Sequence, residues 1–169
     1  MWLTGGPGCA SQTALFAENG PCSVNEDGTD TVPNPYSWNS NASIIYLDQP
    51  AGTGFSYGTH DTNEDTVSDD MYDFLTEFFA KYPEYNKQEF YIYGESFAGK
   101  YIPASAHKIW KNQKEQDPSK PHINFKGIGI GNGLVDVVTQ VQYYADMAYN
   151  SGTAPSRVSK PVYELMKHV

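Results

Sequence analysis

The sequence predicts an α/β protein with a mostly parallel sheet and helices on its faces. Three short apolar runs, 43–47, 90–93 and 125–130, are rich in β-branched or aromatic residues and have the length of strands. Two segments with a helical repeat lie between them, one ending before Pro83 and one at about 104–114. Strands that alternate with helices in this way are typical of a parallel sheet.

The first predicted strand, 43–47, leads into the sequence DQPAG at 48–52, whose proline and glycine end a strand. We therefore expect a buried strand followed by a loop. In the first predicted helix, residues 68–70 (SDD) are N-terminal signals. Its apolar residues fall at i, i+3, i+4, i+7 and i+8, which predicts core packing rather than a cofactor site: Met71, Phe74, Leu75, Phe78 and Phe79.

The second predicted strand, 90–93, runs into the next helix through a short segment that contains Ser96. A strand that meets a helix through so few residues must turn sharply. The small residues Gly94 and Ala98 let the backbone pack while the Ser96 hydroxyl stands clear. The pattern predicts that Ser96 is a nucleophile, and the alternative is an ordinary strand-to-helix turn.

The third predicted strand, 125–130, stops at the sequence GNG, 131–133. Active sites of parallel sheets lie at the carboxyl ends of the strands. We therefore expect Ser96, the 48–52 loop and the 131–133 turn at one edge of the sheet.

Composition excludes some functions. The net charge of −9 and the pI near 4.7 argue against nucleic acid or an anionic membrane as partner, because both require clustered Lys and Arg. No apolar run is long enough to predict a transmembrane span.

The two cysteines, Cys9 and Cys22, do not have the spacing of a metal site, so we predict no metal, and we expect no cofactor. A disulfide between them stays open. Asn41 begins an Asn-Ala-Ser sequon in a polar stretch and is a candidate glycosylation site of a secreted or vacuolar protein.

The N-terminal sequence LTGGPGC, 3–9, is rich in glycine, which leaves backbone amides uncovered. A Gly-Gly loop near a nucleophile can direct one amide at a developing oxyanion, and the residue after the serine, Phe97, supplies the second. The alternatives are a plain turn or a phosphate-binding loop. A phosphate loop would require a Lys-Ser or Lys-Thr pair and a helix directly after it, and neither is present.

Together, these motifs resemble the serine carboxypeptidase family of α/β-hydrolases (carboxypeptidase Y-like). The resemblance extends from Trp2 to about Tyr149, and it is carried by five blocks in the family's order: WLTGGPGC at 2–9, NPYSWN at 34–39, YLDQPAGTGFSY at 46–57, GESFAGKY at 94–101 and IGNGL at 130–134.

The resemblance implies a role for each matching residue. Ser96 would be the nucleophile, and the amides of Gly6 and Phe97 would form the oxyanion hole. The free carboxylate of the substrate's last residue would be held by Trp2, Thr4, Gly5, Glu18 and Glu95. Thr4 departs from the usual asparagine, and a hydroxyl has one donor where an amide has two, so the contact at this position is expected to be weaker or water-mediated.

Glu18 and Glu95 predict a preference for acid. Two carboxyl groups beside a substrate carboxylate cannot all ionise cheaply, so they are expected to share a proton at low pH. The alternative for Glu18 is a solvated carboxylate at a helix end.

The histidine and aspartate of a catalytic triad are not recognisable. In α/β-hydrolases they follow the serine in the order Asp, His. The resemblance implies that the family's Asp and His lie beyond the length present here. The aspartates and histidines that follow Ser96 in this chain do not suit either role: Asp117, Asp136, Asp146, His107, His122 and His168. We also expect residues 116–121 to form an exposed loop.

We therefore interpret residues 1–169 as an incomplete α/β-hydrolase domain, an internal fragment that lacks N-terminal strands and the C-terminal part with Asp and His. The expected function is a serine-type carboxypeptidase acting on peptides or proteins with a free C-terminus, although the fragment alone is expected to be inactive. The alternatives are a non-catalytic truncated family member and a carboxypeptidase-like acyltransferase. The resemblance implies a vacuolar, lysosomal or secreted protein, and the sequence leaves its oligomeric state open.

Overall fold

The computed structural model describes residues 1–115 and 117–168. Two residues lie outside this part of the chain: residue 116, which belongs to the predicted loop 116–121, and residue 169, the last of the predicted domain. Backbone contacts divide the described residues into two compact units, one spanning Met1–Gly133 and one beginning at Leu134.

The first unit contains two small sheets. β1 (Trp2–Leu3) precedes an antiparallel hairpin formed by β2 (Cys22–Val24) and β3 (Thr31–Pro33). β4 (Phe90–Glu95) and β5 (Phe125–Gly131) complete a parallel sheet with the order β1-β4-β5. Since Leu3 pairs with Gly94, β1 ends beside the nucleophile segment.

The helices of this unit are α1 (Gln12–Ala17), α2 (Glu64–Lys81) and α3 (Ala98–Glu115), with short 3-10 turns at Trp38–Ser40 and Pro83–Tyr85. Both predicted helices are confirmed, but each begins earlier than expected. The Asn63 side chain caps α2 by accepting from the Asp65 and Thr66 amides, so this helix starts before residues 68–70. α3 starts directly after the Ser96 turn and continues through Pro103.

The core lies where α2 and α3 cover the sheet. Leu75 of α2, Ile92 of β4 and Ile102 of α3 are fully buried together with Leu3. The apolar repeat of α2 is core, as predicted, with Met71, Leu75 and Phe79 buried and Phe74 and Phe78 packed against the same cluster.

The prediction of a buried strand at 43–47 is wrong in extent. This segment makes a single parallel bridge, between Tyr46 and Trp2, and its side chains are exposed or half-buried. The Trp2 amide donates to the Ile45 carbonyl at 2.8 Å. The segment is therefore extended but pairs too briefly to form a ladder. The other two predicted strands are confirmed, and each is slightly longer than expected.

The second unit is helical, with α4 (Val137–Gln142), α5 (Tyr144–Asn150) and α6 (Lys160–Met166). The Tyr149 and Tyr163 rings stack at 4.5 Å between α5 and α6. The Tyr163 hydroxyl donates to Asp146 at 2.5 Å, and Lys167 lies 3.7 Å from the same carboxylate. No described helix of either unit combines the length and apolar character needed to cross a membrane.

Candidate active site

The turn between β4 and α3 presents Ser96. Its φ of +58° lies in the left-handed region, which is strained for a residue with a side chain. The Ser96 amide donates to the Gly131 carbonyl at the end of β5, and the Ser96 carbonyl accepts from the Gly99 amide in α3, both at 3.0 Å. The turn is therefore fixed from both sides while the serine side chain stays exposed.

Gly5 packs directly against this turn. A methyl group on Gly5 would lie 2.7 Å from the Glu95 carbonyl oxygen and 2.9 Å from Ser96 Cβ, and it would also collide with the Phe97 amide nitrogen. Only a residue without a side chain lets the loop after β1 approach the nucleophile this closely. The structure thus brings the N-terminal glycine loop and Ser96 together.

The remainder of the glycine loop is pinned to α3. Gly6 and Gly8 have φ values of +116° and +78°, which favour glycine. The Gly8 amide donates to the hydroxyl of buried Tyr101 at 3.1 Å. The structure gives neither the Gly6 nor the Phe97 amide an acceptor among the residues that it describes. Both amides are therefore available to an oxygen atom that enters the site.

Asp48 connects the loop that follows segment 43–47 to α1, a role that the sequence did not reveal. This buried carboxylate accepts from the Gln12 amide at 3.3 Å, the Gln12 side chain at 3.0 Å and the Phe55 amide at 3.1 Å. It therefore ties the loop that follows segment 43–47 to the start of α1. The sequence signal that could have indicated this role is an acidic residue directly after an apolar run, because a carboxylate placed there is buried only if it is hydrogen-bonded.

The Trp2 side chain is engaged with Thr4. Its Nε1 donates to Thr4 Oγ1 at 3.2 Å, and the Thr4 amide donates to Ser11 Oγ at 3.1 Å. Since the indole can donate only once, it makes no second hydrogen bond in this arrangement. The Thr4 hydroxyl accepts from Trp2, so its own proton is still available for donation to another acceptor.

Glu18 and Glu95 are brought together, although they come from the end of α1 and the end of β4. Partial burial raises the pKa of Glu18, and Glu95 raises it further through charge repulsion and a hydrogen bond between the two side chains. Glu18 is the residue at which α1 ends, with the non-helical angles φ −129° and ψ −88°. Glu18 therefore holds its proton to higher pH than an isolated glutamate does.

The triad candidates are placed away from the serine or in the second unit. The His107 ring stacks on Trp110, at 5.9 Å, on α3. His122 and Asp117 are exposed, and Asp117 accepts from Ser119. Within the described residues, no histidine hydrogen-bonds to the Ser96 hydroxyl. In the second unit, Asp136 caps α4 and Asp146 binds Tyr163, while His168 follows α6.

Cys9 and Cys22 are both free thiols, so the disulfide that the spacing left open is absent from the structure. No group of three or more His, Cys, Asp or Glu side chains could hold a metal ion in residues 1–115 and 117–168. Asn41 is exposed.

A groove of about 870 Å³, lined by aromatic residues, lies around Met1 and Phe90. It is at the amino ends of β1 and β4 and thus opposite Ser96.

Comparison with known proteins identifies the family of this chain. A model of the serine carboxypeptidase family matches residues 1–168. A protein named serine carboxypeptidase-like from Oryza sativa subsp. japonica is 47% identical over 156 residues, which are 90% of this chain and 36% of that protein. Carboxypeptidase Y homolog A from Emericella nidulans is 49% identical over 158 residues, which are 92% of this chain and 27% of that protein.

A solved structure is also similar. The crystal structure of Kex1(Δ)p, a prohormone-processing carboxypeptidase from Saccharomyces cerevisiae, superposes with a TM-score of 0.81 at 31% identity, covering 99% of this chain and 38% of that one. The prediction of a partial α/β-hydrolase fold is confirmed. The chain spans about a third of the length of the relatives that it matches. It belongs to the serine carboxypeptidase family.

Proposed function

We propose that the protein of which this chain is part is a serine-type carboxypeptidase that releases the last residue of peptides or proteins with a free C-terminus. The observation that carries the proposal is that three features meet at the carboxyl end of β4. These are the strained Ser96 turn, the Gly5–Gly6 loop against it, and the Glu18–Glu95 carboxyl pair beside it.

In the proposed reaction, Ser96 Oγ attacks the carbonyl carbon of the last peptide bond and forms an acyl-enzyme. The proton of Ser96 passes to a general base, which none of the described residues supplies, and then to the leaving amine. The amides of Gly6 and Phe97 stabilise the oxyanion. Water then attacks the acyl-enzyme, and this step regenerates Ser96.

The free carboxylate of the substrate would bind between Thr4 and the carboxyl pair. The Thr4 hydroxyl, which already accepts from Trp2, donates its single proton to the substrate, together with the backbone of Gly5. The proton that Glu18 retains beside Glu95 provides a second donor and lowers the negative charge that the substrate meets.

The test follows from the sign of the Glu18 shift. Because its pKa is raised, Glu18 is protonated in mild acid, and this proton leaves as the pH rises through the raised value. We expect KM for free-acid peptides to increase with pH above the mildly acidic range, and KM for the matching C-terminal amides to stay flat. The measurement is KM for both series, with the full-length protein, across pH 4 to 8. Parallel curves for the two series would contradict the proposal.

A non-catalytic family member is the second candidate. It predicts no hydrolysis of either series.

We further propose that the protein is vacuolar, lysosomal or secreted and carries a glycan on Asn41, whose side chain is exposed. Loss of mass after endoglycosidase treatment, absent in Asn41→Gln, tests the glycan.

A further inference from the structure

The sequence NPYSW, 34–38, follows the β2–β3 hairpin and packs against the turn that carries Glu18. This turn, 18–21, leaves α1 and leads into β2. The end of a helix has free carbonyl groups, which other groups must satisfy. Here the partners come from the 34–38 segment.

Asn34 binds three of the four carbonyls of this turn. Its Nδ2 donates to the Gly20 oxygen at 2.9 Å and to the Glu18 oxygen at 3.3 Å. Its backbone amide donates to the Pro21 oxygen at 2.8 Å. Its Oδ1 accepts from the Tyr36 amide at 3.0 Å, so the side chain is used at both ends.

The fourth carbonyl belongs to Asn19, and the next residues of the same segment bind it. The Trp38 amide donates to the Asn19 oxygen at 3.0 Å, and Ser37 Oγ lies at 3.4 Å. The Trp38 ring also contacts Trp2 edge-on, with centroids 5.3 Å apart. The segment therefore joins the Glu18 turn to β1.

Tyr46 attaches the turn to the sheet at a second point. Its hydroxyl donates to Asn19 Oδ1 at 2.9 Å, and its backbone bridges to Trp2. Asn19 is only 7% exposed, so this hydrogen bond is shielded from water. Burial and the charge of Glu18 raise the pKa of Tyr46, which keeps the phenol protonated as a donor.

We propose that Asn34 is a positioning residue that holds Glu18 where its carboxyl meets Glu95. Glu18 lies outside the helical conformation, so α1 alone does not fix its direction. The hydrogen bonds from Asn34 to the Glu18 and Gly20 carbonyls hold the backbone of the turn in this conformation. For its effect on substrate, this inference rests on the proposed function.

The first test does not depend on catalysis. In Asn34→Ala, the Nδ2 donor is lost and the turn can relax away from Glu95. We expect the titration midpoint of Glu18, followed by NMR of labelled carboxyl carbons in the full chain, to move to lower pH. Glu95, the titratable group that acts on Glu18, is unchanged in this variant, and so is Tyr46, whose pKa Glu18 raises.

The matched control is Asn25→Ala, in the β2–β3 hairpin that precedes Asn34. Asn25 accepts from Thr29 and Asp30 within the hairpin and does not touch the Glu18 turn. Its removal should leave the Glu18 midpoint in place. Asn34→Ser keeps an acceptor for the Tyr36 amide but has no Nδ2 donor, and it replaces Asn34→Ala should that variant fail to fold.

The second test is kinetic and uses the full-length protein. Loss of one or two hydrogen bonds that position a ligand group corresponds to about a five- to tenfold change in affinity. We expect Asn34→Ala to raise KM for free-acid peptides by this factor, with KM for C-terminal amides and kcat within about twofold.

An unchanged Glu18 midpoint in Asn34→Ala would overturn the inference, and so would a KM that rises equally for acids and amides. If the wild type hydrolyses neither series but the Glu18 midpoint still depends on Asn34, the proposed function fails and the positioning role stands.

Discussion

At the scale of single residues, the geometry of the site depends on close backbone approach at Gly5. The loop after β1 touches the peptide units on both sides of Ser96, and a methyl group would force them apart. The consequence is chemical, because the amide of Phe97 is one of the two that we assign to the oxyanion.

Gly5→Ala should therefore lower kcat/KM by about a hundredfold or more, since loss of one oxyanion donor costs about 3 kcal/mol. The measurement is steady-state hydrolysis by the full-length protein. Gly152→Ala is the control, because a methyl group there meets no atom within 4 Å and φ is not positive. Near wild-type activity of Gly5→Ala would show that the loop does not set the oxyanion geometry.

At this scale the sequence predicted the sharp turn at Ser96 and the glycine loop beside it. Ser96 and the glycines follow local rules, because a sharp strand-to-helix turn needs small residues at fixed offsets. Asn34 and Tyr46 were not predicted as site residues. Their hydrogen bonds reach residues that are distant in sequence, and no periodicity or spacing records such a contact.

At the scale of elements, α3 shows that core packing can outweigh a local sequence signal. α3 runs through Pro103, which cannot donate to the Gly99 carbonyl. The sequence therefore indicated a start after the proline. Tyr101 and Ile102 before it are as deeply buried as Ile109 after it, and this burial holds the first turns in place.

The start of α2 was also misplaced, because its first turn is polar and lacks the apolar repeat. Asn63 rather than residues 68–70 provides the cap. We expect Asn63→Ala to lower the free energy of unfolding by about 1 kcal/mol, measured by urea denaturation. Asn63→Asp keeps the acceptor and should change stability by less than about half of that. Equal losses in both variants would mean that the side-chain cap does not stabilise α2.

The extended segment 43–47 differs from its prediction for a related reason. A β-branched run favours a strand, but a strand requires partners along its length. In the described residues its ladder is limited to the bridge between Tyr46 and Trp2. The same bridge nevertheless places the Tyr46 hydroxyl at Asn19, so the short pairing still serves the site.

At the scale of the whole molecule, the first unit places the features of the candidate site at the carboxyl ends of parallel strands. Ser96 follows β4, the glycine loop follows β1, and the Gly131 carbonyl at the end of β5 accepts from Ser96. The order of strands and helices predicted this edge. Family membership agrees with it, while the activity of the full-length protein stays a proposal because the chain spans about a third of its relatives.

The most direct test of the account is covalent labelling with a fluorophosphonate, read out by peptide mass spectrometry. The full-length protein, its Ser96→Ala variant and the 169-residue chain are compared. We expect an adduct on Ser96 in the full-length protein, none in Ser96→Ala, and weak or no labelling of the chain alone. A full-length protein that is folded yet carries no adduct on Ser96, or carries it on another serine, would contradict the assignment of the nucleophile.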